Sequence, residues 1–310
     1  MKLLRVTAQG LPLFKEKLDL PFYAQQRVAE EDKINLYSLF SNIYLNPSDA
    51  FIGINASGKT SVLKVLLLAL GLINNEPINH INTKEILGST KKAVLNVYFY
   101  SEINKEICRL ETVITSENTK VEGTAYRIIS ESLWSKKAEE VTTRKAMLDF
   151  GGREPIIVRD EQESFLSDDV SIMIAYNKKT GEHIKVVSML HLTNINVLPV
   201  SEGIPAEIIS YLDPTIENLY FEEKNKKPVI HLKFKGKEEI VLNNAIELNN
   251  YLSSGTVKGM ITFTLAQEVL KDGGYLIVDE IENHFNKEIV STLIRFFMDG
   301  KLNKNGGMLI

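Results

Sequence analysis

Residues 53–60 read Gly-Ile-Asn-Ala-Ser-Gly-Lys-Thr, a complete G-x-x-x-x-G-K-[ST] pattern, and few strings of this length restrict a fold so strongly. A strand, a glycine-rich turn and a helix N-terminus in that order make an anion site from the backbone alone. Asp49-Ala-Phe-Ile52 supplies the expected short lead-in strand, and Ser57 to Leu70 the expected helix. Val62, Leu63, Leu66, Leu67 and Leu70 fall at helical spacing along it. Backbone N–H groups and the helix dipole then make an anion site without any side chain. Gly53 and Gly58 let the chain approach a phosphate with no Cβ in the way. Lys59 would reach the β- and γ-phosphates, and the Thr60 hydroxyl would sit on Mg²⁺. The candidate nucleotide contacts are therefore Gly53, Asn55, Ala56, Ser57, Gly58, Lys59, Thr60 and Ser61.

A phosphate loop needs a carboxylate partner, and residues 275–280 read Tyr-Leu-Ile-Val-Asp-Glu. The apolar run suits a central parallel strand covered on both faces, whose C-terminal end is where ligands sit in an open α/β sheet. Asp279 is the candidate Mg²⁺ holder, through its water shell, and Glu280 the candidate base that polarises an attacking water. The expected ligands are ATP and Mg²⁺, and Glu280 and Lys59 are the expected catalytic residues.

A third segment defines the subclass. Residues 251–256 read Tyr-Leu-Ser-Ser-Gly-Thr, and Thr256 to Leu270 is expected to be a helix ending at Lys271-Asp-Gly-Gly274. A Ser-Gly turn at a helix start is a second anion site by the same backbone physics, here built from Ser253 and Gly255. The bland alternative is an ordinary Ser-capped helix. Leu252, Ser253 and Gly255 resemble the signature loop of ABC-type ATPases, while Ser254 and Thr256 depart from the transporter form. The Leu-Ser-Ser-Gly-Thr version looks like the "AAA family" ATPases grouped with overcoming-lysogenization-defect proteins and with SMC-like recombination and chromosome-maintenance ATPases. Ile281-Glu-Asn-His-Phe285 stands where that family has Pro-Glu-x-x-Leu, with Ile281 for the usual Pro and Phe285-Asn286 for Leu-His. The resemblance is confined to residues 51–70 and 251–286.

The resemblance implies an α/β fold of the phosphate-loop ABC-ATPase type. It would have two lobes and a mixed sheet with a central parallel core and an N-terminal antiparallel portion. On that reading residues 1–115 and 271–310 form the core lobe of a single domain, and about 116–270 the inserted lobe that carries the signature loop. It also implies a homodimer closed through nucleotide, each copy offering Lys59 to one ATP and Ser253 and Gly255 to the other. DNA handling or anti-phage defence, with DNA or an effector nuclease as partner, is the implied context. The family's switch histidine follows the strand after the carboxylate strand. Here that strand would be Gly307-Met-Leu-Ile310, so the domain is expected to be C-terminally incomplete. None of the five histidines, at 80, 183, 191, 231 and 284, fits the switch position. The interlobe glutamine has only Gln162 as a candidate, within a charged loop.

Composition narrows the alternatives. A formal charge of −4 on 310 residues gives no global electrostatic reason to bind nucleic acid. The lysines at 91–92, 136–137, 178–179, 224 and 226–227 read as solvated loop residues. One cysteine, Cys108, excludes an internal disulfide and fits a reducing, cytoplasmic compartment. No apolar run is long enough for a signal peptide or a membrane span, Val62 to Leu72 being the strongest. A transporter ATPase subunit remains an alternative, though Gln is expected where Thr256 stands. Another is a nucleotide-binding regulatory or scaffold protein without turnover. A GTPase is disfavoured because Asn177-Lys-Lys-Thr180 lacks the guanine-reading carboxylate.

Local patterns fill in the rest. Leu3 to Leu20 reads as a hairpin turning at Gly10-Leu-Pro12, and 93–100 with 106–115 as two antiparallel strands. Glu131 to Leu148 has helical character, Pro155 to Val158 is strand-like, and Pro205 to Leu212 is a short amphipathic helix. Val229 to Phe234 and Glu239 to Leu242 form a hairpin through Lys235-Gly-Lys237. No heptad run, internal repeat or low-complexity tract is present.

Overall fold

The computed structural model describes residues 1–119, 123–159, 166–190, 204–224, 227–283 and 285–310. Expectations placed on Gln162, His191, Lys226 and His284 lie outside them. The chain forms two units, Met1–Lys185 and Val186–Ile310.

In the first unit, β1 (Lys2–Gln9), β2 (Leu18–Pro21), β3 (Tyr37–Phe40) and β4 (Ile43–Leu45) precede helix α1 (Lys59–Ile73). Then come β5 (Ala93–Ser101), β6 (Glu106–Thr119), β7 (Gly123–Lys137), α2 (Arg144–Leu148), β8 (Ile157–Val158) and α3 (Met173–Thr180). Six of the strands make one antiparallel sheet in the order β2-β1-β5-β6-β7-β8, and β3 pairs with β4 apart from it. Register explains why this sheet closes into a core. Leu20, Val6, Val97, Leu110 and Leu133 are cross-strand neighbours in one line, all buried. Each contributes about 1.5–3 kcal/mol of burial on one continuous surface, so a one-residue slip would expose the whole row. The N-terminal hairpin and the β5–β6 pair are as the sequence predicts.

The segment 131–148 is not a helix. β7 runs to Lys137 because its residues alternate against β6, Leu133 opposite Leu110 and Glu131 opposite Thr112, and only Arg144–Leu148 turns helical. Lys136 is consequently no solvated loop lysine. It faces inward at 5% exposure and donates to Asp149 O at 2.6 Å. It also lies 4.0 Å from the centre of the Phe150 ring, and burial lowers its pKa to about 8. Lys137, Lys178 and Lys224 sit on β7, α3 and the later strand 216–224 rather than in loops but are exposed, as are Lys91 and Lys92 outside the strands.

The second unit contains β9 (Val186–Ser188), α4 (Ala206–Leu212), β10 (Ile216–Lys224), β11 (Lys227–Phe234), β12 (Glu239–Leu242) and α5 (Ser254–Asp272). It ends with β13 (Tyr275–Ile277), α6 (Lys287–Met298) and β14 (Met308–Leu309). Two small sheets flank α5. Val257, Met260 and Ile261 pack with Ile216, Ile230, Leu232 and Leu242 of the antiparallel sheet β10-β11-β12. Phe263, Ala266, Val269 and Leu270 pack with Leu276, Leu293, Phe297 and Leu309, around the parallel sheet β14-β13-β9. With two sheets to cover, α5 buries residues around most of its circumference. The α4 helix and the β11–β12 hairpin follow the sequence expectation, and β10 adds a third strand to that hairpin. The fold is thus mixed α/β, with an antiparallel sheet in the N-terminal unit and a parallel one around the acidic strand end. The expected lobe boundary at residue 115 falls inside the continuous β6–β7 ladder. Among the described residues no helix is long and apolar enough to cross a membrane.

Candidate nucleotide site

The phosphate loop belongs to the first unit. α1 begins at Lys59, two residues later than predicted, with Gly58 as its N-cap at φ 91 and ψ 14. Glycine is favoured there because a side chain rarely adopts that left-handed backbone. No side chain caps this helix, and its first internal hydrogen bond is Val62 N to Gly58 O at 2.9 Å. The N–H groups of residues 59–61 therefore precede the helical ladder, the geometry an anion needs. Gly53 is fixed by space instead. A Cβ on it would lie 2.5 Å from Ser57 Oγ and 3.3 Å from Ser57 Cβ, so a side chain here would force Ser57 to turn away. Ser57 N donates to Ile54 O at 3.2 Å, and Ala56 takes φ 63. Lys59 folds back over the loop and donates to Gly53 O at 2.8 Å and Ile54 O at 3.2 Å. Its ammonium thus spans the turn that would enclose a phosphate, held by carbonyls that an incoming anion can replace.

The predicted strand at 49–52 is absent. Residues 49–53 carry no strand pairing, and Ile52 and Ile54 are 94% and 83% exposed. The unit's large sheet is antiparallel and offers this segment no ladder, so apolar composition alone does not make it a strand. Asn46 anchors the approach by donating from Nδ2 to Asp49 Oδ1 at 3.0 Å. Burial raises the Asp49 pKa to about 6, against the lowering effect of that hydrogen bond.

Asp279 and Glu280 lie in the second unit, just past β13, the middle strand of the parallel sheet. Val278 N donates to Ile310 O at 2.7 Å and Ile310 N to Leu276 O at 2.9 Å, so pairing with the last strand extends to the acidic pair. Asp279 is half-buried and Glu280 exposed. Glu280 takes φ 49, a left-handed conformation that costs a non-glycine residue about 1–2 kcal/mol. Strain of this kind concentrates at functional turns. Asn283, which the sequence reading passed over, donates from Nδ2 to Glu280 Oε2 at 3.0 Å and from its backbone to Glu280 O at 2.9 Å. An amide three residues after a carboxylate at a strand end was the available signal.

Ser253 is the N-cap of α5. Its Oγ accepts from Thr256 N at 3.0 Å and lies 2.8 Å from Thr256 Oγ1. The first helical bond is Val257 N to Ser253 O at 3.1 Å, so the N–H groups of Ser254 and Gly255 precede it. The helix starts at Ser254, two residues before the expected start. Of the histidines within the described residues, His80 and His183 are exposed. His231 is buried between Glu239 and Glu222, at 3.2 and 3.3 Å, and stacked on Tyr220. Cys108 is buried, and burial pushes its thiol up to about 12.

No family model matches the chain, and no curated protein matches it. Among solved structures it is similar to an SMC head domain from Thermotoga maritima, at 12% identity and a TM-score of 0.45. The match covers 100% of this chain and 88% of that one. A likeness of this size assigns no family.

Proposed function

We propose that the chain is an ATP-binding module that hydrolyses ATP with Mg²⁺ and dimerises around the nucleotide. The observation that carries the reading is the glycine loop opening an uncapped helix, with Lys59 arched over its carbonyls. Backbone N–H groups at 59–61 and the Lys59 ammonium bind and orient the phosphates. Thr60 is the proposed Mg²⁺ ligand, and Asp279 the proposed holder of the ion through its water shell. Among the described residues no group of three His, Cys, Asp or Glu could hold a metal. Mg²⁺ needs no such group, because it keeps waters and takes phosphate oxygens beside one or two protein ligands. When bound, the ion neutralises charge developing on the phosphates. Glu280 accepts the proton of the attacking water, and Asn283 holds one of its two carboxylate oxygens so that the other faces the water.

In the dimer, a second copy of the chain would offer Ser253 and Gly255 to the nucleotide held by Lys59. The grouping of residues 1–115 with 271–310 as the core lobe belongs to this proposal. So do a cytoplasmic setting, which rests on the single cysteine, and a role in DNA handling or anti-phage defence, which rests on the signature-loop resemblance. Glu280→Gln tests the reading. It should retain the affinity for a fluorescent ATP analogue, stop phosphate release and accumulate an ATP-dependent dimer in light scattering. Turnover by that variant at the parent rate removes Glu280 from the base role. A parent chain that binds nucleotide but releases no phosphate leaves the non-hydrolysing regulatory alternative in its place.

A further inference from the structure

Away from the phosphate loop, the first unit has a cavity of about 520 Å³ between the loop at 27–33, the β3–β4 hairpin and the start of α2. Volumes of this order hold a nucleotide-sized ligand. No residue of 53–61 lines it. Its charge sets it apart from the rest of the chain. Arg27, Lys33 and Arg144 face a single carboxylate, Glu30, leaving two positive charges in excess on a chain whose formal net charge is −4.

The compensation of those cations is uneven. Lys33 is taken by Glu30 at 2.6 Å. Arg27 has no hydrogen-bond or ion-pair partner among the described residues. Arg144 donates through Nη2 to a main-chain carbonyl, Gln26 O, and its Nε is shut off from solvent with no acceptor. Neutral donors stand beside the two guanidinium groups. Thr142 and Thr143 line the cavity, and Thr143 Oγ1 accepts from Ala146 N at 3.1 Å, which leaves its proton to give. Two guanidinium groups with hydroxyl donors match a tetrahedral dianion in charge, whereas a single carboxylate would leave one cation uncompensated.

We infer that this cavity is an anion site for a phosphoryl group, carried on the 5′ end of a nucleic acid strand or on a free mononucleotide. The inference does not rest on the proposed ATPase reading, because the phosphate loop is disabled in its test. In a Lys59→Ala chain, fluorescence anisotropy would compare a labelled 5′-phosphorylated trinucleotide with its 5′-hydroxyl counterpart, and AMP would compete. The phosphorylated probe should bind about tenfold more tightly than the hydroxyl one, the worth of a charge-assisted hydrogen bond. Arg27→Ala, which removes an exposed side chain with no internal partner, should erase that difference. Arg144→Ala should do the same, with far-UV circular dichroism confirming that it folds. Competition by AMP at concentrations close to those of the trinucleotide identifies a free nucleotide as the source, and competition about tenfold weaker identifies the strand end. The absence of saturable binding, equal binding of the two probes, or an Arg27→Ala chain that still prefers phosphate overturns the inference.

Discussion

Gly58 allows the phosphate-loop reading to be tested apart from stability. Its φ of 91 and ψ of 14 are costly for any residue with a Cβ, yet a Cβ built there meets nothing within 4 Å. Gly58→Ala therefore carries a backbone penalty and no steric one. That penalty is about 1–2 kcal/mol, offset by about 0.4–1 kcal/mol because alanine also restricts the unfolded chain. A net loss near 1 kcal/mol follows. Gly181, after α3, is a matched control at φ 70 and ψ 9, again with nothing within 4 Å of a Cβ. Urea unfolding followed by circular dichroism should register similar losses for Gly58→Ala and Gly181→Ala. A fluorescent ATP analogue should separate them. The Cβ at 58 enters open space on the residue that directly precedes the N–H groups of 59–61, which a phosphate would approach. Losing one such charge-assisted bond costs about 1.5–3 kcal/mol, or roughly tenfold to a hundredfold in affinity. Gly181→Ala should bind as the parent does. If Gly58→Ala binds nucleotide normally, or if both variants lose affinity alike, the loop is an ordinary turn and the functional proposal falls.

Two other substitutions probe neighbouring features. Asp49 has a folded-state pKa of about 6 against 3.8, so its neutral form contributes stability that is full below about pH 4 and lost as pH rises through 6. Asp49→Asn keeps the acceptor for Asn46, and should flatten the stability profile between those pH values. At pH 7 it should add about 1–2 kcal/mol, half the full linkage value because the site is partly open to water. Asn303 joins α6 to β14, donating to Phe297 O at 2.7 Å and Gly307 O at 2.8 Å and accepting from Gly307 N at 2.6 Å. Asn303→Ala leaves those buried groups unpaired and should lower unfolding free energy by about 2–3 kcal/mol in denaturant titration.

The features legible in the sequence were those fixed by local chemistry. The glycine turn that opens α1 and the Gly236 hairpin each need a left-handed residue, and each has it. Gly58 and Gly236 are both left-handed, at φ 91 and 70. Long-range pairing was not legible. Glu131 to Leu148 has the composition of a helix, but opposite β6 its alternation wins, and Glu131 is buried at 1% exposure only because three donors meet it. Those donors, Thr112, Ser171 and the Ile172 N–H, lie 19 to 41 residues away. The same limit explains Ile52. A strand needs a neighbouring edge as well as apolar residues, and no local pattern reports whether one is present.

Ser253 marks where motif and geometry pull against each other. As an N-cap, its oxygen already accepts from Thr256 N, which is how an unremarkable serine at a helix start is used. A hydroxyl that accepts still has a proton to give, and Thr256 Oγ1 lies 2.8 Å away, a pair in which either hydroxyl can donate. The cap therefore orients the side chain without exhausting it. Giving the Ser253 proton to a phosphate oxygen would at most exchange one neutral hydrogen bond for a charge-assisted one, about twice as strong. The N–H groups of Ser254 and Gly255 precede the helical ladder on the same turn, so the anion would meet backbone donors as well. Capping is therefore compatible with the proposed signature role of Ser253 and is no argument against it.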